Sequence, residues 1–188
     1  MFVVHADGDL LTWDEYLGLP YETRNTDLID GKMIVNSPNA QHERIVGNLL
    51  FALTLWQRGL PQRLGGPTTQ QPVKVSDRHG YQPDMSWFPV EQCEPAGQRA
   101  SFSGLPAIVV EVLSPSTRRI DLVRKRGDYE ALGIPEFWII DPDTEIMLIA
   151  RRSSPNGGYV ALVLESADPI TSPLLPGFQL AVSDLFVA

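Results

Sequence analysis

The sequence predicts an α/β or α+β fold, a mixed β-sheet flanked by helices, and three observations predict it. Residues 107–113 are apolar and mostly β-branched on both faces, as a strand at the centre of a sheet is. Ile45, Leu49, Leu53 and Trp56 recur at helical spacing. Along the chain a helix is followed by several strands, then a second long helix region, then more strands, which is the order of a layered domain. At 188 residues the chain is expected to form one domain, 1–188, around a single core.

Each element has its own warrant. Thr12 and Glu15 stand three apart as a capping box, so a short helix should begin there and stop before Pro20. Residues 28–35 read as two strands joined by the tight Asp30-Gly31 turn. An amphipathic helix is predicted over 40–58, with Gly59 as its stop and His42 on or beside its inward arc. Residues 68–75 read as a strand, 77–80 as a turn, and 82–88 as a second strand that contains Asp84. A loop over 89–104 precedes the central strand at 107–113. Ser116 or Thr117 should cap a helix running to about Leu132, which Gly133 and Pro135 end. A buried strand at 137–140, a hairpin of 145–151 with 159–165, and an irregular tail with a short terminal turn or helix complete the reading.

Composition narrows the function. Hydrophobic residues make up 43% and charged residues 20%, the balance of a globular chain. Cys93 is the only cysteine, so neither an internal disulfide nor a cysteine zinc cluster can form, which suits a reducing cytoplasm. The apolar runs are too short to span a bilayer, and no signal-peptide pattern opens the chain, so no membrane partner is expected. With 15 Lys and Arg against 23 acids the net charge is −8, which argues against general, charge-driven binding of nucleic acid. Any such contact has to be local, and Arg118, Arg119, Arg124, Lys125 and Arg126 are the densest cluster that could make a positive patch.

Glu111 is the most informative residue, because it interrupts the apolar central strand. A buried carboxylate is costly unless a metal or cation compensates it. The alternative is a strand-end glutamate in a structural salt bridge. Asp84 could converge with Glu111 if their strands are neighbours, and two carboxylates that leave room for water and phosphate suit Mg2+; alone it reads as a turn or surface aspartate. Asp121, Lys125 and Asp128 follow an i, i+4, i+7 pattern and should share a helix face, with Ile120 and Val123 turned to the sheet. On spacing alone Lys125 and Asp121 read as a solvated pair worth about 0.3–0.5 kcal/mol. Beside metal-bound carboxylates, Lys125 could instead hold a water and stabilise developing charge. His42 reads either as a hydrogen-bonded core histidine or as a site residue next to Glu43. Asp27 and Asp30 flank the turn, where Asp30 is explained by turn chemistry. No phosphate-cradling glycine loop, Gly-x-Ser-x-Gly elbow, dinucleotide fingerprint or histidine cluster is present.

An ordered set of motifs adds to this. It comprises Leu28-Ile29-Asp30-Gly31, Ser37-Pro38 with His42, Pro83-Asp84, and the run from Glu111 to Thr117. Asp121, Lys125 and Tyr129 follow, then the run from Gly133 to Pro142. From about Asp14 to Leu185 the chain resembles the Uma-type restriction endonucleases, a family assigned to the PD-(D/E)XK nuclease fold. The resemblance implies a restriction-endonuclease-like mixed sheet and a nuclease using Mg2+ or Mn2+ on DNA. By position, Asp84 matches the PD aspartate and Glu111 the acidic residue of the (D/E)XK motif, together the expected metal ligands. Leu113 stands where the superfamily lysine would be, and Lys125, on the following helix, matches the family's displaced lysine. Glu43 is the candidate for the assisting helix carboxylate, and His42 is the better motif match. Asp27 stands where glutamate is common. The expected catalytic set is therefore Asp84, Glu111, Lys125, Glu43 and His42. A homodimer would supply the two sites that cutting both strands needs. The competing expectations are a non-catalytic nucleic-acid or protein binding module on the same fold, and a phosphatase acting on small phosphoesters.

Overall fold

The computed structural model describes residues 10–20, 26–36, 38–69, 71–93, 104–114, 118–155 and 157–187. Helix α1, Trp13–Gly18, opens on the expected capping box: the Thr12 N–H donates to Glu15 at 2.8 Å and the Glu15 N–H to Thr12 Oγ1 at 3.4 Å. Strands β1, Thr26–Ile29, and β2, Lys32–Val35, pair antiparallel. Asp30 and Gly31 turn between them with φ of 52° and 78°, the left-handed pair that a two-residue hairpin requires. Helix α2 spans Ala40–Arg58 and buries Ile45, Leu49 and Leu53, the predicted stripe.

The next stretch departs from expectation. Residues 68–75 are not one strand: β3, Gly65–Thr68, and β4, Val73–Ser76, belong to different sheets. Pro72 has no N–H to continue a ladder, and the chain changes sheets there. The turn is also shorter than 77–80, since β5, His79–Tyr81, already contains His79 and Gly80. Gly80 is where Trp13 packs; a Cβ there would lie 2.0 Å from the indole. Pro83 likewise splits the predicted strand at 82–88, so that β6 is Met85–Pro89 and Asp84 precedes it.

Strand β7, Ile108–Val112, is central as expected, antiparallel to β6 and parallel to β8, Glu136–Asp141. Strands β9, Ile146–Arg152, and β10, Tyr159–Leu164, form the predicted hairpin. The result is a mixed six-stranded sheet of order β10-β9-β8-β7-β6-β3, beside a four-stranded antiparallel sheet of order β2-β1-β5-β4. Near the C-terminus, β11, Pro169–Ile170, and β12, Leu180–Ala181, make a small ribbon before a terminal 3-10 turn.

Alternation along the strands sorts the core into two sides. Ile108, Val110 and Val112 pack with Ile45, Leu49 and Leu53 of α2, together with Trp138 and Ile140 of β8. Val109 and Leu113 face the other way, against Tyr81, Tyr129, Phe137 and Ile139. Glu111 shares that second face.

The helix after β7 is not a plain α-helix. Residues 118 and 119 are helical, Ile120–Lys125 is a π-helix, and α3 continues over Arg126–Ala131. The expected cap at Ser116 or Thr117 lies outside the described residues. The wide π turn, with its i→i+5 bonding, shifts the arcs that α-helical spacing assigns. Ile120 is half-buried against the second core, but Val123 is 68% exposed, so the expectation that both face the sheet is corrected. Asp121 and Lys125 are buried instead.

Candidate active site

Glu111 sits near the end of β7 and is 3% exposed. Its Oε1 accepts from Lys125 Nζ at 3.0 Å and from the Tyr129 hydroxyl at 3.1 Å. Burial drives its pKa well above the usual carboxylate range. Lys125 opposes this, while Asp84, Asp121 and Asp27 push it further up.

Lys125 is not the solvated pair its spacing suggests. It is 2% exposed, with Nζ 3.1 Å from Asp27 Oδ2, 3.0 Å from Glu111 Oε1 and 3.1 Å from Asp121 Oδ1. The Tyr81 ring centroid lies 5.4 Å from the same nitrogen, within cation–π range. Burial disfavours its charge, but Asp27, Glu111 and Asp121 outweigh that and hold its pKa well above the ordinary lysine value. The shifts on Glu111 and Lys125 differ in their main cause, burial for the carboxylate and neighbouring acids for the ammonium, but those acids push both upward. Asp27, Glu111 and Asp121 surround one ammonium, and Asp84 adds to the negative charge at Glu111, so proton affinity rises at both partners.

Asp84 is brought to Glu111 by register. Met85 pairs with Val110, and one step beyond that ladder sets Asp84 opposite Glu111. Asp84 Oδ2 accepts from the Val112 N–H at 2.7 Å and from His42 Nε2 at 3.0 Å. His42 lies in the first turn of α2, where Asn39 caps the helix by accepting from the His42 N–H at 2.9 Å. Burial opposes charge on the imidazole. The hydrogen bond and charge of Asp84, with Glu43 and Asp121, overcome this and raise its pKa. Glu43 is exposed and lines, with His42, Asp84, Glu111 and Lys125, one cavity open to solvent. All five expected site residues therefore meet at one place.

Asp27 and Asp121 were not in the expected set. Asp27 is 1% exposed on β1, its Oδ1 accepting from the Gln82 N–H at 2.8 Å while Oδ2 faces Lys125. The signal that singled out Glu111, an acid inside an apolar strand, was present at Asp27 too. The adjacent Asp30-Gly31 turn masked it. Asp121 was paired correctly with Lys125, but its burial follows from the π turn.

The donor set fits a hard divalent cation. Acids outnumber cations around the cavity, and oxygen ligands are what Mg2+ and Mn2+ take. Among the described residues no group of three or more His, Cys, Asp or Glu side chains is set as a ready metal cage. Mg2+ bound through two carboxylates, with water filling the remaining positions, needs none. The predicted basic patch is largely spent within the protein. Lys125 is buried, Arg118 donates to Asp141 at 2.5 and 3.1 Å, and Arg124 donates to Asp30 at 2.7 Å. Among the described residues no helix is long and apolar enough to cross a membrane.

The model of the Uma2 family, described as "Putative restriction endonuclease", matches residues 13–183. A solved structure described as a "putative nuclease belonging to DUF820", from Anabaena variabilis ATCC 29413, superposes with a TM-score of 0.76 at 23% identity. The match covers 94% of this chain and 97% of that one, and it establishes the shared mixed α and β fold. No curated protein matches the chain.

Proposed function

The chain belongs to the Uma2 family, and on that premise we propose that it is a nuclease hydrolysing phosphodiester bonds in DNA with Mg2+ or Mn2+. The observation that carries the reading is the buried Glu111 carboxylate, lining the same cavity as Asp84. Asp84 and Glu111 would hold the ion. When bound, it would neutralise phosphate charge, polarise the phosphorus centre and lower the pKa of water.

The remaining residues have separable tasks. His42 donates to Asp84 Oδ2 and, with the Val112 N–H on the same oxygen, fixes that carboxylate. Lys125 offsets part of the cost of ionising Glu111 in the interior. Glu43, exposed at the rim, is the group placed to accept a proton from water or to complete the oxygen donor set. The same reading takes 1–188 as one domain acting in the cytoplasm. Where both strands are cut, it takes a homodimer, and sedimentation at assay concentration tests that.

Purified protein should nick plasmid DNA with Mg2+ or Mn2+ and fail in chelator, and Asp84→Ala or Glu111→Ala should abolish nicking. Cleavage that survives both substitutions, or that needs no metal, sinks the reading. A second reading, a binding module that keeps the nuclease fold without its chemistry, is favoured by Leu113 on the Glu111 strand face and by the internally paired arginines. It requires that calorimetry detect no Mn2+ binding that depends on Asp84 and Glu111.

A further inference from the structure

The carboxylate of Glu111 is held by one oxygen. Both Lys125 Nζ and the Tyr129 hydroxyl donate to Oε1, so Oε2 is the oxygen left to serve a ligand in the cavity that Glu111 lines. Lys125 is itself tethered. Its ammonium donates to Glu111 Oε1 at 3.0 Å and lies 3.1 Å from both Asp27 Oδ2 and Asp121 Oδ1, within ion-pair distance of each. These oxygens come from β1, β7 and the π segment, so the nitrogen is gripped from three directions by separate elements. Tyr129 is equally fixed. It is fully buried, with its ring edge-to-face against Tyr81 at 5.5 Å and Phe137 at 5.1 Å.

We propose that Asp27, Asp121 and Tyr129 are positioning residues: they lock Lys125 and Glu111 so that Lys125 acts on the carboxylate rather than on water, and Glu111 presents Oε2 to a divalent cation. The proposal rests on the metal-dependent reading above. A lysine that handles water needs an N–H turned to it, and here the ammonium donates to Glu111 and is drawn to two further buried carboxylates at ion-pair distance. A carboxylate with one oxygen pinned loses less rotational freedom when it takes an ion on the other. Partners of this outer kind commonly contribute about 10–100-fold to metal affinity.

Two measurements on the full chain test it. The chain has only three lysines, and Lys32 and Lys74 are exposed, so 15N NMR of the ammonium groups can isolate Lys125. Its N–H signal should persist at neutral pH while the other two are lost to solvent exchange, and it should disappear in Asp121→Asn. A Lys125 ammonium that exchanges as fast as Lys32 and Lys74 overturns the lock, and this arm needs no variant to fold. In calorimetry with Mn2+ alone, Tyr129→Phe should weaken binding about 10-fold with an unfolding midpoint near wild type. Asp121→Glu, which keeps the carboxylate, should recover the affinity that Asp121→Asn loses. Unchanged Mn2+ affinity in Tyr129→Phe overturns the positioning role. Absence of Mn2+ binding by the wild type overturns instead the metal reading itself, and the lock then stands or falls by the ammonium signal.

Discussion

At the scale of single residues, Glu111 ties function to stability. Its pKa is raised in the folded protein, so between the ordinary carboxylate value and the raised one the folded state binds more protons than the unfolded state. Stability therefore falls as pH rises through that window. In chelator, the unfolding midpoint should decline as pH climbs above the usual carboxylate range. Glu111→Gln should flatten that decline, because the amide cannot ionise among Asp27, Asp84 and Asp121. If the relief is about 1 kcal/mol, the variant melts about 2–4 °C above wild type at neutral pH without metal. Mn2+ should reverse the order by stabilising only the protein that binds it. Thermal melts across pH, with and without Mn2+, check this; a Glu111→Gln protein less stable than wild type in chelator would make Glu111 a plain structural ion pair.

At the scale of elements, the π segment decides which side chains reach the site. It buries Asp121 and Lys125 and leaves Val123 facing solvent, an assignment that regular α-helical spacing would change. Val123→Lys should therefore alter stability by no more than about 0.5 kcal/mol, as exposed substitutions do. Deleting Val123 should let the segment relax toward α-helix, pull Lys125 off its carboxylates, lower the melting temperature and remove Mn2+ binding. A deletion that keeps both properties would mean that the wide turn positions nothing. The same elements mark how far the sequence could be read. The capping box at Thr12, the hairpin at Asp30-Gly31 and helix α2 were legible because their signals are local. The sheet exchange between β3 and β4 was not, since alternating apolar residues look alike in either sheet. Asp27 carried the signal of an acid in an apolar strand, but the adjacent turn explained it locally, and only tertiary packing brings β1 to Lys125. Asp84 and Glu111 were legible through their flanking residues and motif, though their opposition across β6 and β7 needed the register.

At the scale of the whole molecule, the charge distribution limits how DNA could be held on the proposed nuclease reading. The net charge is −8, and three of the five members of the dense basic cluster are committed to ion pairs within the chain, Lys125 in the interior and Arg118 and Arg124 at the surface. Of its five members only Arg119 and Arg126 are not ion-paired to a carboxylate among the described residues. An anionic backbone approaching the cavity would meet Glu43, Asp84 and Glu111, so on the proposed reading a bound cation would reverse the local sign before phosphate settled there. Two consequences can be measured by fluorescence anisotropy with a short duplex, using Ca2+ to hold DNA without relying on cleavage. Binding should be weak in chelator and strengthen with the ion, and the gain should vanish in Asp84→Asn. The salt dependence should also be shallow. Each neutralised phosphate contributes about −0.9 to the slope of log Kobs against log salt, so a pair of free arginines gives a slope near about −2. A slope steeper than about −5 would require several more phosphate contacts than Arg119 and Arg126 supply, and would place most of the DNA-binding surface outside this cluster.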